Sequence, residues 1–317
     1  MQTNASKRIG QLSVAPLALG GNVFGWTADK DTSFAVLDAY TDGGGNHIDT
    51  ADGYSAWVEG NSGGESETVI GQWLAARGPA VRDNVVIATK VARHPDRMGL
   101  APQNIKAACE DSLRRLQTDH IDLYYTHFDD ESVEVSAIVQ ALDDLVKAGK
   151  VREIAASNIS AERLAASLAF SDREGTARYV ALQPHYNLVS RDTYEGELET
   201  LARRESLAVL PYYALAAGFL TGKYQPGEQP PEGARSGQAA KLLATERGQR
   251  VLAALSTVAS AHQAPEATVA LAWLAAQPTV TSPIASARTV DQLPALMAVA
   301  DLQLTHDELR LLTDASA

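Results

Sequence analysis

Several short apolar runs in this chain end in polar side chains that together suit proton transfer to a carbonyl oxygen. HIDTADGY ends a run in Asp49 and carries Tyr54 five residues on, VVIATKV carries Lys90, and IDLYYTHF carries His127. Further runs end in Ser157-Asn158, in Gln183 and in Tyr212. A phenol titrates near ~10 and is a poor acid at neutral pH, and a neighbouring ammonium favours the phenolate and lowers that value. Lys90 is placed to supply the ammonium, Asp49 to hold Lys90, and His127 to hydrogen-bond and orient the substrate oxygen. Taken singly, each has an ordinary explanation: a helix cap for Asp49, a lysine reaching solvent for Lys90, a hydrogen-bonded core histidine, a packed tyrosine. At the ends of consecutive strands the four are improbable as independent accidents. The set contains no good nucleophile and no histidine pair at metal-ligand spacing on a helix, so the electrons for a reduction must come from elsewhere, and a hydride cofactor is the economical supply.

The elements that must position these residues alternate along the chain. Strand-like runs fall at Leu17–Leu19, His47–Asp49, Val85–Ala88, Ile121–Tyr125, Val151–Ala156, Val180–Leu182, Ala208–Pro211 and Val280–Pro283. Helical spacing of apolar residues at three and four marks Thr32–Asp42, Glu65–Arg77, Pro102–Leu116, Val133–Ala148, Ala161–Phe170, Arg191–Arg204 and Ala239–Ala261. Eight strands alternating with helices predict an α/β fold, a (β/α)8 TIM barrel formed by residues 1–317 as one domain. An open doubly wound sheet would call for GxGxxG after the first strand, where the sequence reads GGNVFG. Two glycine-rich stretches, Ser55–Gly64 and Ala216–Gly237, are expected as long loops at the C-terminal face, where barrels build their active sites.

Composition narrows the partners. The 317 residues carry 27 Lys and Arg against 39 Asp and Glu, a net charge of −12. Nucleic acid and anionic membrane surfaces need a cationic footprint that such a balance does not offer, whereas an anionic cofactor needs only a local cationic pocket. The single cysteine, Cys109, is expected in a packed helix and points to a reducing, cytoplasmic compartment. No apolar stretch is long enough for a membrane span or a secretory signal.

With these residues the sequence resembles an aldo-keto reductase over almost its whole length. The likeness rests on Asp49, Tyr54, Lys90 and His127 in their contexts, on Ser157-Asn158 and Gln183, on PYYALAAGFLTGKY and on PIASARTVDQL. It is closest to the bacterial branch that also holds the potassium-channel β-subunits. The resemblance implies an NADPH-dependent reductase of aldehydes or ketones, with Tyr54 as general acid, Lys90 and Asp49 tuning it, and His127 orienting the substrate. It implies that Ser157, Asn158 and Gln183, near Asp49, bind the nicotinamide carboxamide and that Tyr212 stacks on the ring. It implies further that Leu215, Gly218 and Lys223 border the pyrophosphate, and that Ser286, Arg288 and Gln292 hold the adenosine end. Arg288 is expected on the 2′-phosphate, which its planar fork suits. Ser286 stands where the family has glycine, Leu296 where it has Asn with Pro294 just before, and Ala217 where glycine is common. Phe24, Trp26, Trp57 and Phe128, with Tyr213 beside them, are the candidate lining of a pocket for a small carbonyl substrate.

Two other functions fit parts of the pattern. A Schiff-base lyase would use a desolvated Lys90 as nucleophile, but leaves Tyr212, Ser157-Asn158 and the Arg288 segment without a role. A cofactor-binding regulatory subunit would keep the cofactor site with little turnover.

Overall fold

The computed structural model describes residues 7–224 and 236–317. One sheet holds eight parallel strands. They are β1 Ala18–Gly20, β2 His47–Asp49, β3 Val86–Val91, β4 Ile121–Thr126, β5 Val151–Ser157, β6 Tyr179–Gln183, β7 Ala208–Val209 and β8 Ile284–Ala285. β8 pairs with β1, and the opposite edge is tied back to it: Ile284 N donates to Pro211 O at 2.9 Å and Thr281 N to Val209 O at 2.8 Å. These bonds join the sheet's ends around a barrel.

Period-two alternation along the strands sorts the side chains. Ile48, Ile87, Tyr124, Ile154 and Leu182 point outward and pack in one large core with helices such as Glu65–Arg77, Pro102–Leu116, Val135–Lys147 and Ala161–Glu174. Ala18, Ala88, Ala155, Ala181 and Ala208 point inward with Val86, Leu123 and Tyr125. An N-terminal hairpin, Lys7–Ile9 with Leu12–Val14, adds Ile9, Leu12 and Val14 to this inner cluster. Its attachments are at strand starts: Gln11 N donates to Glu153, and Asn46 bonds both Ala15 and Ser13. The hairpin therefore plugs the barrel's N-terminal end. Alternation carried two residues beyond the inward Ala88 reaches Lys90, and from Ala155 and Ala181 it reaches Ser157 and Gln183. Polar side chains thus form the top layer at the opposite, C-terminal end.

The sequence-derived bounds agree for β2 and for the helices Glu65–Arg77 and Pro102–Leu116. The eighth strand is displaced: Val280 and Thr281 only bridge to Val209, and the ladder with β1 begins at Ile284. Pro283 has no N–H to give to the ladder. The helix expected from Arg191 begins at Glu197, after Gly196 with φ 111°, and the long helix expected over Ala239–Ala261 is two. Thr245 starts the second by accepting from Gly248 N at 3.0 Å. Residues 50–64 contain neither helix nor strand, whereas the Ala216–Gly237 stretch opens with a 3-10 turn at Ala216–Thr221 and includes residues 225–235, outside those described. Among the described residues no helix is long and apolar enough to cross a membrane.

Candidate active site

A cavity of about 1090 Å³ lies over the polar layer at the C-terminal end of the barrel. Lys90 lies beneath it, wholly buried, and its ammonium donates to Asp49 Oδ2 at 2.6 Å, to Thr50 O at 2.7 Å and to Tyr54 Oη at 3.0 Å. Three partners use all three of its N–H groups. Burial works to discharge Lys90, but the Asp49 and Tyr54 oxygens outweigh it and hold the amine above its ordinary range. Asp49 receives a further bond from Gln183 Nε2 at 2.9 Å, which fixes its other oxygen.

Tyr54 faces the cavity. Burial raises its phenol, Lys90 pulls the other way, and the net shift is upward. The lowering expected from the ammonium is present as one contribution and is outweighed by desolvation. His127 lies edge-on to Tyr54, with ring centroids 5.8 Å apart. Burial, then Lys90 and Arg93, keep this imidazole well below its usual range and therefore neutral.

The other strand-end residues are bonded to one another. Ser157 Oγ donates to Gln183 O at 2.8 Å, and Asn158 Nδ2 donates to His127 O at 2.8 Å and to Ser157 Oγ at 3.0 Å. Tyr212 Oη donates to Asn158 Oδ1 at 2.8 Å. His185 stacks on the Tyr212 ring, centroids 5.4 Å apart and 22° between planes, Tyr213 lies tilted against it at 5.4 Å, and Tyr212 lines the cavity.

At the far end Leu215, Gly218, Lys223, Ser286, Arg288 and Gln292 all line the cavity. Lys223 and Arg288 have no carboxylate partner among the described residues, and burial and then Arg288 depress the Lys223 amine. A Cβ on Gly218 would lie 3.0 Å from Lys223 Nζ, so the glycine leaves space beside the ammonium. Gln292 Oε1 accepts from Arg288 N at 2.8 Å and fixes the backbone that presents the guanidinium. Ser286 donates to Asn22 Oδ1 at 2.6 Å, which employs the hydroxyl where glycine was the family expectation. Two cations without a carboxylate partner among the described residues at one end, amide and hydroxyl groups in the middle and a tyrosine ring form a set that suits a dinucleotide with phosphate and carboxamide groups.

Of the pocket aromatics, Trp26, Trp57, Phe128 and Tyr213 line the cavity. Trp57 and Phe128 are 52% and 39% exposed, unusual for rings this large, and Trp26 meets Trp57 edge-on at 5.5 Å. Phe24 does not belong with them. Its ring is fully buried in the outer core, and its carbonyl accepts from Ser55 Oγ at 2.9 Å. A lone aromatic near the first strand gives no sign in sequence of which way it points. Among the lining residues without a sequence signal is Arg93, whose guanidinium lies 4.7 Å from the Phe128 ring centroid. A basic residue beyond the strand proper carries no motif, and only the turn that aims it gives it meaning.

A barrel that gathers Asp49, Tyr54, Lys90 and His127 at a large C-terminal cavity has the layout of a barrel enzyme. The family profile described as "Aldo/keto reductase family" matches residues 16–317, and the chain belongs to that family. It is 35% identical over 311 residues to the uncharacterized oxidoreductase YrpG of Bacillus subtilis (strain 168), covering 96% of this chain and 92% of that one. It is 33% identical to the protein Tas of Escherichia coli (strain K12), covering 94% and 93%. It is 32% identical to the norsolorinic acid reductase stcV of Emericella nidulans, covering 96% and 78%.

Proposed function

We propose that the chain is an NADPH-dependent reductase of aldehydes and ketones in which Tyr54 protonates the nascent alcohol oxygen. The observation that carries this reading is the buried line from Asp49 through Lys90 to Tyr54, ending at the cavity floor. When bound, the reduced nicotinamide supplies a hydride to the carbonyl carbon. Everything else is work for the chain's own residues. The raised Tyr54 phenol is protonated throughout the neutral range, so a proton is always available. As charge develops on the substrate oxygen, Tyr54 releases that proton, and the Lys90 ammonium at 3.0 Å stabilises the tyrosinate left behind. Asp49 keeps Lys90 charged in a site where burial alone would neutralise it. Neutral His127 orients the same oxygen with its Nε2 without adding a competing acid.

Ser157, Asn158 and Gln183 hold the carboxamide, Tyr212 stacks on the ring, and Leu215, Gly218 and Lys223 border the pyrophosphate under the loops of the C-terminal face. Ser286, Arg288 and Gln292 take the adenosine end, with Arg288 on the 2′-phosphate, which favours NADPH over NADH. Trp26, Trp57 and Phe128 cover the apolar part of the substrate. A Schiff-base role for Lys90 is disfavoured because a nucleophilic amine must be uncharged and reachable, and this one is neither. The lone, buried Cys109, its thiol pushed up to about 12 chiefly by burial, accords with a reducing, cytoplasmic setting.

The test is a fluorescence titration with NADPH and NADH, followed by a generic aromatic aldehyde. Tighter binding of NADPH and its oxidation on aldehyde addition are expected. Failure to bind either cofactor overturns the reading.

A further inference from the structure

We propose that Arg93 selects carbonyl substrates carrying a carboxylate at the end remote from the carbonyl. The proposal rests on the reductase reading and specifies its substrate class. Its first support is position. Arg93 follows Lys90 by three residues, and its guanidinium sits over the Phe128 ring at 4.7 Å. That ring lies 5.1 Å from His127, and His127 lies 5.8 Å from Tyr54. The cation therefore stands at the substrate end of the cavity, separated from the proton donor by two aromatic rings.

Its second support is backbone geometry. Ala92, immediately before it, has φ 104°, a region that costs an L-residue about 1–3 kcal/mol. Neighbouring bonds enforce this conformation: Gly99 N donates to Ala92 O at 3.2 Å, and His127 N donates to Val91 O at 3.0 Å. Gly53 packs so closely that a Cβ there would lie 2.5 Å from Arg93 O. A strained alanine and an obligatory glycine together turn the chain end so that Arg93 faces the cavity. Strain of this kind persists where the surroundings over-determine it, commonly at ligand sites.

Its third support is charge. Asp49 is engaged by Lys90 and Gln183, while Lys223 and Arg288 line the cofactor end. Arg93 lines the substrate end with no carboxylate partner among the described residues, in a chain of net charge −12. An anion on the substrate would complete it, and guanidinium geometry suits a carboxylate. The exposed Trp57 and Phe128 rings would cover the apolar body between carboxylate and carbonyl.

The experiment compares 4-formylbenzoate with its methyl ester at saturating NADPH, for the wild type, Arg93→Gln and Arg93→Lys. The readout is the acid-to-ester ratio of kcat/KM, in which the intrinsic reactivities of the two aldehydes cancel between variants. Because Arg93 is solvent-exposed, Arg93→Gln is expected to lower the ratio by about three- to tenfold. The loss should fall in KM for the acid and exceed any change in KM for the ester. Arg93→Lys should retain part of the ratio, and 0.5 M NaCl should shrink it in the wild type alone, since exposed charges are screened. An unchanged ratio, or an equal loss for acid and ester, overturns the proposal and reduces Arg93 to packing on Phe128. Turnover of neither compound by the wild type overturns instead the reductase reading beneath it.

Discussion

Asp49→Asn tests the central electrostatic argument. The substitution is nearly isosteric but removes a carboxylate bonded at 2.6 Å to a fully buried ammonium, which has no other carboxylate partner among the described residues. It also turns an amide N–H₂ toward a group that can only donate, unless the Gln183 bond is given up. Breaking a buried pair on one side costs about 3–5 kcal/mol, because the remaining charge stays desolvated. For a chain of this size that corresponds to a fall of about 5–8 °C in Tm. The pH dependence supplies a sharper check. In the wild type the folded Lys90 lies above its ordinary 10.5, so the pair's contribution is complete below 10.5 and is lost only as pH climbs through the higher folded value. In the variant, burial has lost its main counterweight, and the folded amine drops below 10.5. Folding then favours the neutral amine, so the variant gains stability as pH rises through the window between that lowered value and 10.5. Thermal melts of both proteins by circular dichroism at pH 7, 8, 9 and 10 measure this directly. The gap should narrow with pH, and kcat should fall by at least about 10²-fold, the usual worth of an acid catalyst. Equal melting at pH 7, or a gap that widens toward pH 10, would refute the description of Asp49 and Lys90 as a buried charge pair.

Tyr54→Phe should lower carbonyl reduction by about 10²–10⁴-fold with NADPH affinity unchanged, measured by steady-state rates beside a fluorescence titration; joint loss of both would mean misfolding. Arg288→Ala should weaken NADPH by about tenfold and leave NADH within twofold, and equal weakening would remove Arg288 from phosphate recognition. Gly53→Ala must push its new Cβ off the Arg93 carbonyl, so a loss of about 1–3 kcal/mol in a denaturant melt is expected, and unchanged stability would deny the close approach. Cys109, fully buried with its thiol pushed up to about 12, should react with a thiol-specific disulfide dye only on unfolding; reaction at native pH 7 would place it near solvent.

Much of the positioning was legible because strand alternation and strand ends are written in residue types. HID, VVIATK and VALQ each end in a polar residue, and those residues are the ones brought together as Asp49, Lys90 and Gln183. What could not be read depends on contacts distant in sequence. The eighth strand slid four residues because pairing with β1, not local propensity, decides where it starts. Phe24 looked like Trp26 in sequence, but its ring packs in the outer core while its carbonyl accepts from Ser55 Oγ, thirty-one residues on. The upward shift of Tyr54 follows from the depth of burial, which the spacing of Tyr54 and Lys90 does not encode. Arg93 went unnoticed because its meaning lies in the φ of Ala92.

Positive φ at non-glycine residues recurs around the rim. Nine described non-glycine residues have positive φ. Gln117, Ser206 and Gln263 follow helix C-termini, where a left-handed residue caps the helix at small cost. The other six, Ser55, Ala92, Asn158, Tyr213, Ala216 and Ala217, line the cavity or adjoin a residue that does. Each costs about 1–3 kcal/mol that local sequence does not return. The compensation comes from below, where an inner cluster of mostly small side chains, plugged by the N-terminal hairpin, holds the strand ends in place. Ala217 illustrates the consequence. A glycine would reach φ 56° freely in the folded and unfolded chain alike, whereas alanine reaches it only because Leu215 and Tyr213 carbonyls bind the turn. The edge of the cavity beside Lys223 is therefore shaped by backbone bonds of this turn, Ala216 N to Tyr213 O at 2.7 Å and Gly218 N to Leu215 O at 2.9 Å, and not by the local preference of its residues.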